Sequence, residues 1–205
     1  MKLLPFLLLF AVASITACQS GSSDSKVVQT DSAQISSVDE ARLIVPGKSL
    51  GKIYLGQDMQ AVAGILRKPD AGDAAMGKAW GIWYDKDSST QKETELSIYS
   101  AYKDSNMIAK DVKQIRTTAS NFETADGISV GCSLSGFKSA YPDAELRAQY
   151  AVSSSGDTTK LYDSKSQGIG GEFVNNSCKA IAIHPSGTYA NETYFTYNPE
   201  MKKIQ

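Results

Sequence analysis

Gly51-Lys52-Ile53-Tyr54-Leu55-Gly56-Gln57-Asp58-Met59 and, 75 residues later, Asp126-Gly127-Ile128-Ser129-Val130-Gly131 follow one pattern. Each is a short extended apolar piece closed by a glycine. Each is followed by a polar residue suited to N-cap a helix, Asp58 in the first case and Ser133 in the second. The same shift lays Met59, Val62 and Leu66 on Leu134, Phe137 and Tyr141. Met59, Val62, Ile65 and Leu66 share one helical face, as do Leu134, Phe137 and Tyr141, and Pro69 and Pro142 close the two stripes.

After each stripe come runs rich in β-branched and aromatic residues: 80–84, 95–102 and 112–118, then 146–152, 158–162, 171–174, 178–184 and 192–197; most read as strands, and 146–152 reads either as a strand or as an extension of the helix. The turns between them, such as 85–89, 153–157 and 185–187, favour antiparallel hairpins over crossovers. The sequence therefore predicts an α+β fold of two similar helix-plus-antiparallel-sheet units in tandem, over 41–122 and 123–205.

The layout resembles the β-lactamase-inhibitor-protein-like fold. The Gly51–Met59 stretch, with Lys68-Pro69-Asp70 after it, and its later counterpart also resemble the small envelope lipoproteins of the SmpA/OmlA type. That resemblance concerns architecture, and it assigns no binding residue to this chain.

The amino terminus sets the location. Met1 and Lys2 precede an apolar run from Leu3 to Ala13, and Ile15-Thr16-Ala17-Cys18 ends it. The run is too short to span a bilayer as a mature helix and has the three parts of an export signal, 1–17. Its last four residues resemble the lipobox of bacterial lipoproteins. The resemblance implies lipidation of Cys18, with palmitate among the acyl chains, and cleavage before it. Two or three chains anchor stably, at about 0.8 kcal/mol per buried methylene. Gln19 in the next position resembles the outer-membrane sorting pattern, which places the protein facing the periplasm in a Gram-negative host. Residues 18–40, rich in Ser, read as a flexible tether.

Composition narrows the partners. With 21 Lys and Arg against 22 Asp and Glu in 205 residues, there is no cationic surplus to neutralise a phosphate backbone, so nucleic acid is not expected. No cofactor or metal is expected either. Gly47-Lys48-Ser49 ends like a phosphate loop, but Arg42 stands where the opening glycine belongs. Gly131-Cys132-Ser133-Leu134-Ser135 lacks the closing glycine of a nucleophile elbow. His184 is the single histidine, which cannot build a multi-histidine site.

Two cysteines remain after Cys18. An even pair in an exported protein reads as a disulfide between Cys132 and Cys178. The rival reading makes Cys132 a nucleophile with His184 as its base. Trp80, Trp83, Tyr99, Tyr102, Tyr194 and Tyr197 are candidate partner-binding aromatics on a sheet face, set against the plainer reading that such rings pack in the core. The sequence thus points to a lipid-anchored, non-enzymatic envelope protein that presents a protein-binding α+β domain. The alternative is an envelope hydrolase or wall-modifying enzyme with an unrecognised site.

Overall fold

A computed structural model of the chain describes residues 39–88, 90–193 and 201–205. The expected lipidation site Cys18, the signal, most of the tether, and Tyr194 and Tyr197 lie outside the described residues. Ser37–Gln205 form one compact unit.

A single 3-10 turn, Glu40–Arg42, is capped by Asp39, whose carboxylate accepts the Ala41 amide. Three short strands follow, β1 (Leu43–Val45), β2 (Ser49–Leu50) and β3 (Ile53–Tyr54), then helix α1 (Met59–Ala63). Strands β4 (Ala71–Ala75), β5 (Lys78–Lys86), β6 (Glu93–Tyr102) and β7 (Lys110–Thr117) run as an antiparallel meander. After β8 (Glu123–Thr124) and α2 (Leu134–Ala140) comes a second meander, β9 (Glu145–Val152), β10 (Thr158–Ser164), β11 (Ile169–Val174) and β12 (Ser177–Ile183). A one-turn helix α3 (Ala190–Thr193) and strand β13 (Met201–Lys203) complete the described chain.

The architecture overturns the predicted α+β fold of tandem helix-plus-sheet units. Strand makes up 47% and helix 11%, and the helices among the described residues are three and short. The two meanders do not stand apart. β12 pairs antiparallel with β7, through Ile183 opposite Ile115 and Ile181 opposite Thr117, and fuses both into one nine-stranded sheet of order β13-β9-β10-β11-β12-β7-β6-β5-β4. The physical reason lies in β7 and β12. Both carry Ile on one face, so pairing them extends a single apolar surface instead of leaving two exposed edges. The second, smaller sheet has order β3-β2-β1-β8.

The helices are also shorter than the apolar stripes predict. Asp58 caps α1 by accepting the Gln60 amide at 2.7 Å, and Ser133 caps α2 through the Gly136 amide at 3.1 Å. However, α1 ends at Ala63. Gly64 costs helix propensity, and the chain tightens so that the Ile65 and Leu66 amides both turn to the Val62 carbonyl, at 2.9 Å each. Ile65 is consequently exposed. The expected strand at 192–197 is likewise corrected where it is described, since Glu192 and Thr193 belong to α3.

One core results. Alternation puts Trp83, Ile98, Ile115, Ile181, Ile183 and Ile169 on the sheet face that receives Val62 of α1, Phe137 and Tyr141 of α2, and Ile44, Leu50 and Ile53 of the small sheet. Phe137 meets Tyr141 at 5.0 Å and Phe173 at 5.4 Å between ring centroids. Each such buried aromatic contributes about 1.5–3 kcal/mol through area alone. A smaller cluster of Ala148, Tyr150 and Leu161, with Met201 against it, forms on the other face.

Candidate functional site

A concavity opens where α1 stops short. Five helical residues cover the centre of the sheet and leave its β4–β5 end bare, producing a groove of about 870 Å³. Its wall is Met59, Val62, Ala63 and Leu66, and Trp83 closes one side. Small residues make the floor: Gly72 and Ala74 of β4 pair with Gly81 and Ala79 of β5, so these four positions raise no large side chain into the groove. A Cβ at Gly81 would stand 3.1 Å from the Trp83 ring, so the glycine lets the indole lie flat over β5. Beyond the floor, β4 is the last strand of the sheet and pairs only with β5 among the described strands.

The rim is polar and its groups are tied to one another. Arg67 pairs with Asp70 and also donates to the Tyr84 carbonyl at 2.6 Å. Asp70 accepts the Tyr84 amide at 2.8 Å, and the Trp83 indole N–H donates to the Arg67 carbonyl at 2.6 Å. The Arg67 guanidinium, helped by the Tyr84 amide, holds the Asp70 carboxyl below the usual carboxylate range. These bonds pin the loop from Arg67 to Asp70 against β5 and fix the mouth of the groove.

The candidate aromatics do not share one face. Trp83 and Tyr102 lie on the α1 side of the sheet, whereas Trp80 and Tyr99 stand opposite each other across β5 and β6 on the reverse side. Trp83 is 8% exposed and Tyr99 7%, while Trp80 and Tyr102 are half-buried. Of the described four, only Trp83 combines a place in the core with a wall of the groove. The sequence offered no signal for the groove itself, because its floor is defined by missing side chains.

Cys132 and Cys178 are brought together. The Cys178 amide donates to the Cys132 carbonyl at 2.9 Å, and the Gly131 amide to the Cys178 carbonyl at 2.9 Å, so the loop before α2 lays Cys132 beside Cys178 at the start of β12. Both stand as free thiols, so the expected disulfide is not formed in this structure. A hydrogen bond between the two sulfurs favours the thiolate on half-buried Cys132, and that bond together with burial pushes the Cys178 thiol up.

His184 is not the partner of Cys132. It lies six residues beyond Cys178, past the end of β12, fully buried, with Nε2 3.1 Å from Asp163 Oδ1 and Nδ1 3.2 Å from the Pro185 carbonyl. Asp163 Oδ2 accepts the Ala190 amide at 2.8 Å, so the pair fastens α3 to β10 and β12.

A third polar group, largely but not fully buried, escapes sequence reading. Arg116 of β7 reaches across β12, where Ala180 and Ala182 leave room, to Glu172 of β11: Nε donates to Oε1 at 2.6 Å and Nη2 to Oε2 at 2.8 Å. Nη1 donates to Glu95 of β6 at 2.9 Å. Burial works against its charge, but Glu172 and Glu95 outweigh burial and keep the guanidinium above its ordinary value. In sequence Arg116 is one cation in an alternating strand, indistinguishable from an exposed one.

Among the described residues there is no group of three His, Cys, Asp or Glu placed to hold a metal ion, and no helix is long and apolar enough to cross a membrane. Comparison with known proteins finds no matching family model, no matching curated protein and no matching solved structure.

Proposed function

We propose that the chain is a lipid-anchored envelope protein, fastened through Cys18, which binds a protein partner without transforming it and receives apolar side chains of that partner in the groove between α1 and the β4–β5 hairpin. The observation that carries this reading is the chemistry of the groove. An apolar wall of Met59, Val62, Leu66 and Trp83 faces a floor of glycine and alanine, and the charged rim groups Arg67 and Asp70 are already satisfied by each other. Such a surface rewards burial of apolar area, and pockets of this volume and lining are ordinary binding sites.

The envelope setting rests on the export signal and the lipobox resemblance. In that setting the neighbouring Cys132 and Cys178 thiols are oxidised by a protein disulfide of the compartment, which takes the two electrons and two protons as the Sγ–Sγ bond forms.

Groove-filling variants test the reading. Ala63 and Ala74 are exposed and line the groove, so Ala63→Arg and Ala74→Arg obstruct it without disturbing the core. Co-purification of a stoichiometric envelope protein with the wild type, lost in both variants, is the expected result. Retention of the partner in both, or turnover of an envelope polymer by the purified chain, contradicts the proposal.

A further inference from the structure

Among the described residues, the most exposed large apolar side chains are gathered at one end of the nine-stranded sheet. Met76 is 99% exposed, Ile108 85% and Met107 63%. Met76 sits in the β4–β5 turn and the other two in the β6–β7 turn, hairpins that occupy four consecutive strands. At about 4.8 Å per strand the two turns are centred about 10 Å apart. They are joined: Tyr102 donates its amide to the Gly77 carbonyl at 3.1 Å, and the Tyr102 ring packs against Gly77 so closely that a Cβ there would come within 2.8 Å of it.

The backbone makes these residues expensive. Ala75 pairs with Lys78 around a two-residue turn whose central residues both have positive φ, 49° at Met76 and 80° at Gly77. That turn favours Asn-Gly, and a methionine in the left-handed region costs about 1 kcal/mol. Between β11 and β12 the chain makes a turn of the same length and sign with Asn175 and Asn176, at 50° and 63°. Met107 repeats the anomaly, at 56°. Two methionines are held in a conformation that suits them poorly; Met76 contributes almost no burial and Met107 is mostly exposed. Strain of this kind, without structural return, points to a use at the surface.

Charge identifies the use. Lys78 and Lys103 flank the tips and are exposed, and Lys110 lies with Nζ 5.2 Å from the centroid of the Tyr102 ring. The acidic group within the turns is Asp104, whose carboxylate is engaged by the Asn106 amide at 2.9 Å. Asp73 is exposed farther back on β4, and Asp111 is buried behind Lys110. We propose that this end of the sheet is a lipid-binding tip: Met76, Met107 and Ile108 enter the apolar layer of a bilayer while Lys78, Lys103 and Lys110 meet anionic headgroups. Long apolar side chains ringed by lysines are the pattern of interfacial insertion, and each lysine near an anionic surface contributes about 1 kcal/mol. The inference is independent of the groove and of Cys18.

Sedimentation with lipid vesicles tests it, using residues 18–205 with Cys18→Ser so that no acyl chain contributes. The protein is expected to sediment with vesicles containing phosphatidylglycerol and far less with pure phosphatidylcholine. Lys78→Gln and Lys103→Gln should each weaken binding about fivefold, and Ile108→Ser about tenfold. The decisive variant is Met76→Asn, expected to raise the thermal midpoint while lowering vesicle binding about tenfold. Equal binding to both vesicle types, unchanged binding in the tip variants, a lower midpoint for Met76→Asn, or tip variants that abolish a dimer instead of vesicle binding would each overturn the proposal.

Discussion

Replacing Arg116 with Met removes the cation that three strands share. Glu172, almost wholly buried, loses both of its charge-assisted hydrogen bonds, and Glu95, partly exposed, loses one while keeping that of the Ser97 hydroxyl. The methionine fills much of the aliphatic volume, so the dominant cost is a carboxylate left in the interior without its partner, about 3–5 kcal/mol. That is a large part of the 5–15 kcal/mol typical of a whole domain. The double variant Arg116→Met/Glu172→Leu removes the stranded charge as well, and Glu95 can turn toward water. It should recover at least about 2 kcal/mol of the loss, because an ion pair replaced by apolar groups is often close to neutral. Urea denaturation followed by the fluorescence of Trp80 and Trp83 measures both, with m expected to be unchanged. A single-variant cost below about 1 kcal/mol, or a double variant as unstable as the single, would refute the argument that the guanidinium neutralises an otherwise intolerable buried charge.

Four further outcomes are expected. In the reduced folded protein, iodoacetamide should label Cys132 well before Cys178, since the former is half-exposed with its thiolate favoured and the latter is buried with its thiol pushed up; equal labelling rates contradict this. Protein isolated from cells without reductant should label at neither position until reduced. Hydrogen bonds from Ser164, at 2.7 Å, and Ser166, at 2.7 Å, hold the Asp143 carboxyl below the usual range. Its folded value lies below its unfolded value of about 3.9, so its contribution is present above pH 4 and lost as pH falls through the folded value. Ser166→Ala should therefore flatten the acid limb of the stability curve, and an unchanged limb refutes the assignment. Labelled palmitate should enter the wild type and not Cys18→Ser, and equal incorporation contradicts the anchor.

Local features were legible and long-range ones were not. The strands around Ile98, Ile115, Leu161 and Ile181 announce themselves by alternation, and Asp58 and Ser133 cap helices as their positions suggest. β4 was missed because Ala-Gly-Asp-Ala-Ala has no β-branched residue and takes its shape from β5. The stripe through Ile65 and Leu66 overstated α1, since a periodic pattern does not reveal where Gly64 lets the helix close. Pairing of β7 with β12 joins residues more than 60 apart and depends on burying a common apolar face, which no local signal encodes. For the site, the closeness of Cys132 and Cys178 was foreseeable from their count. The groove was not, because it results from a helix that stops early over a floor of glycine and alanine.

The most direct measurement is photocrosslinking in intact cells from a benzophenone side chain at position 63, in the groove, and at Lys160, on the distant β10. A discrete protein adduct in the membrane fraction is expected from position 63, and none of that mass from position 160. No adduct from position 63, or the same adducts from both, would contradict the proposed binding.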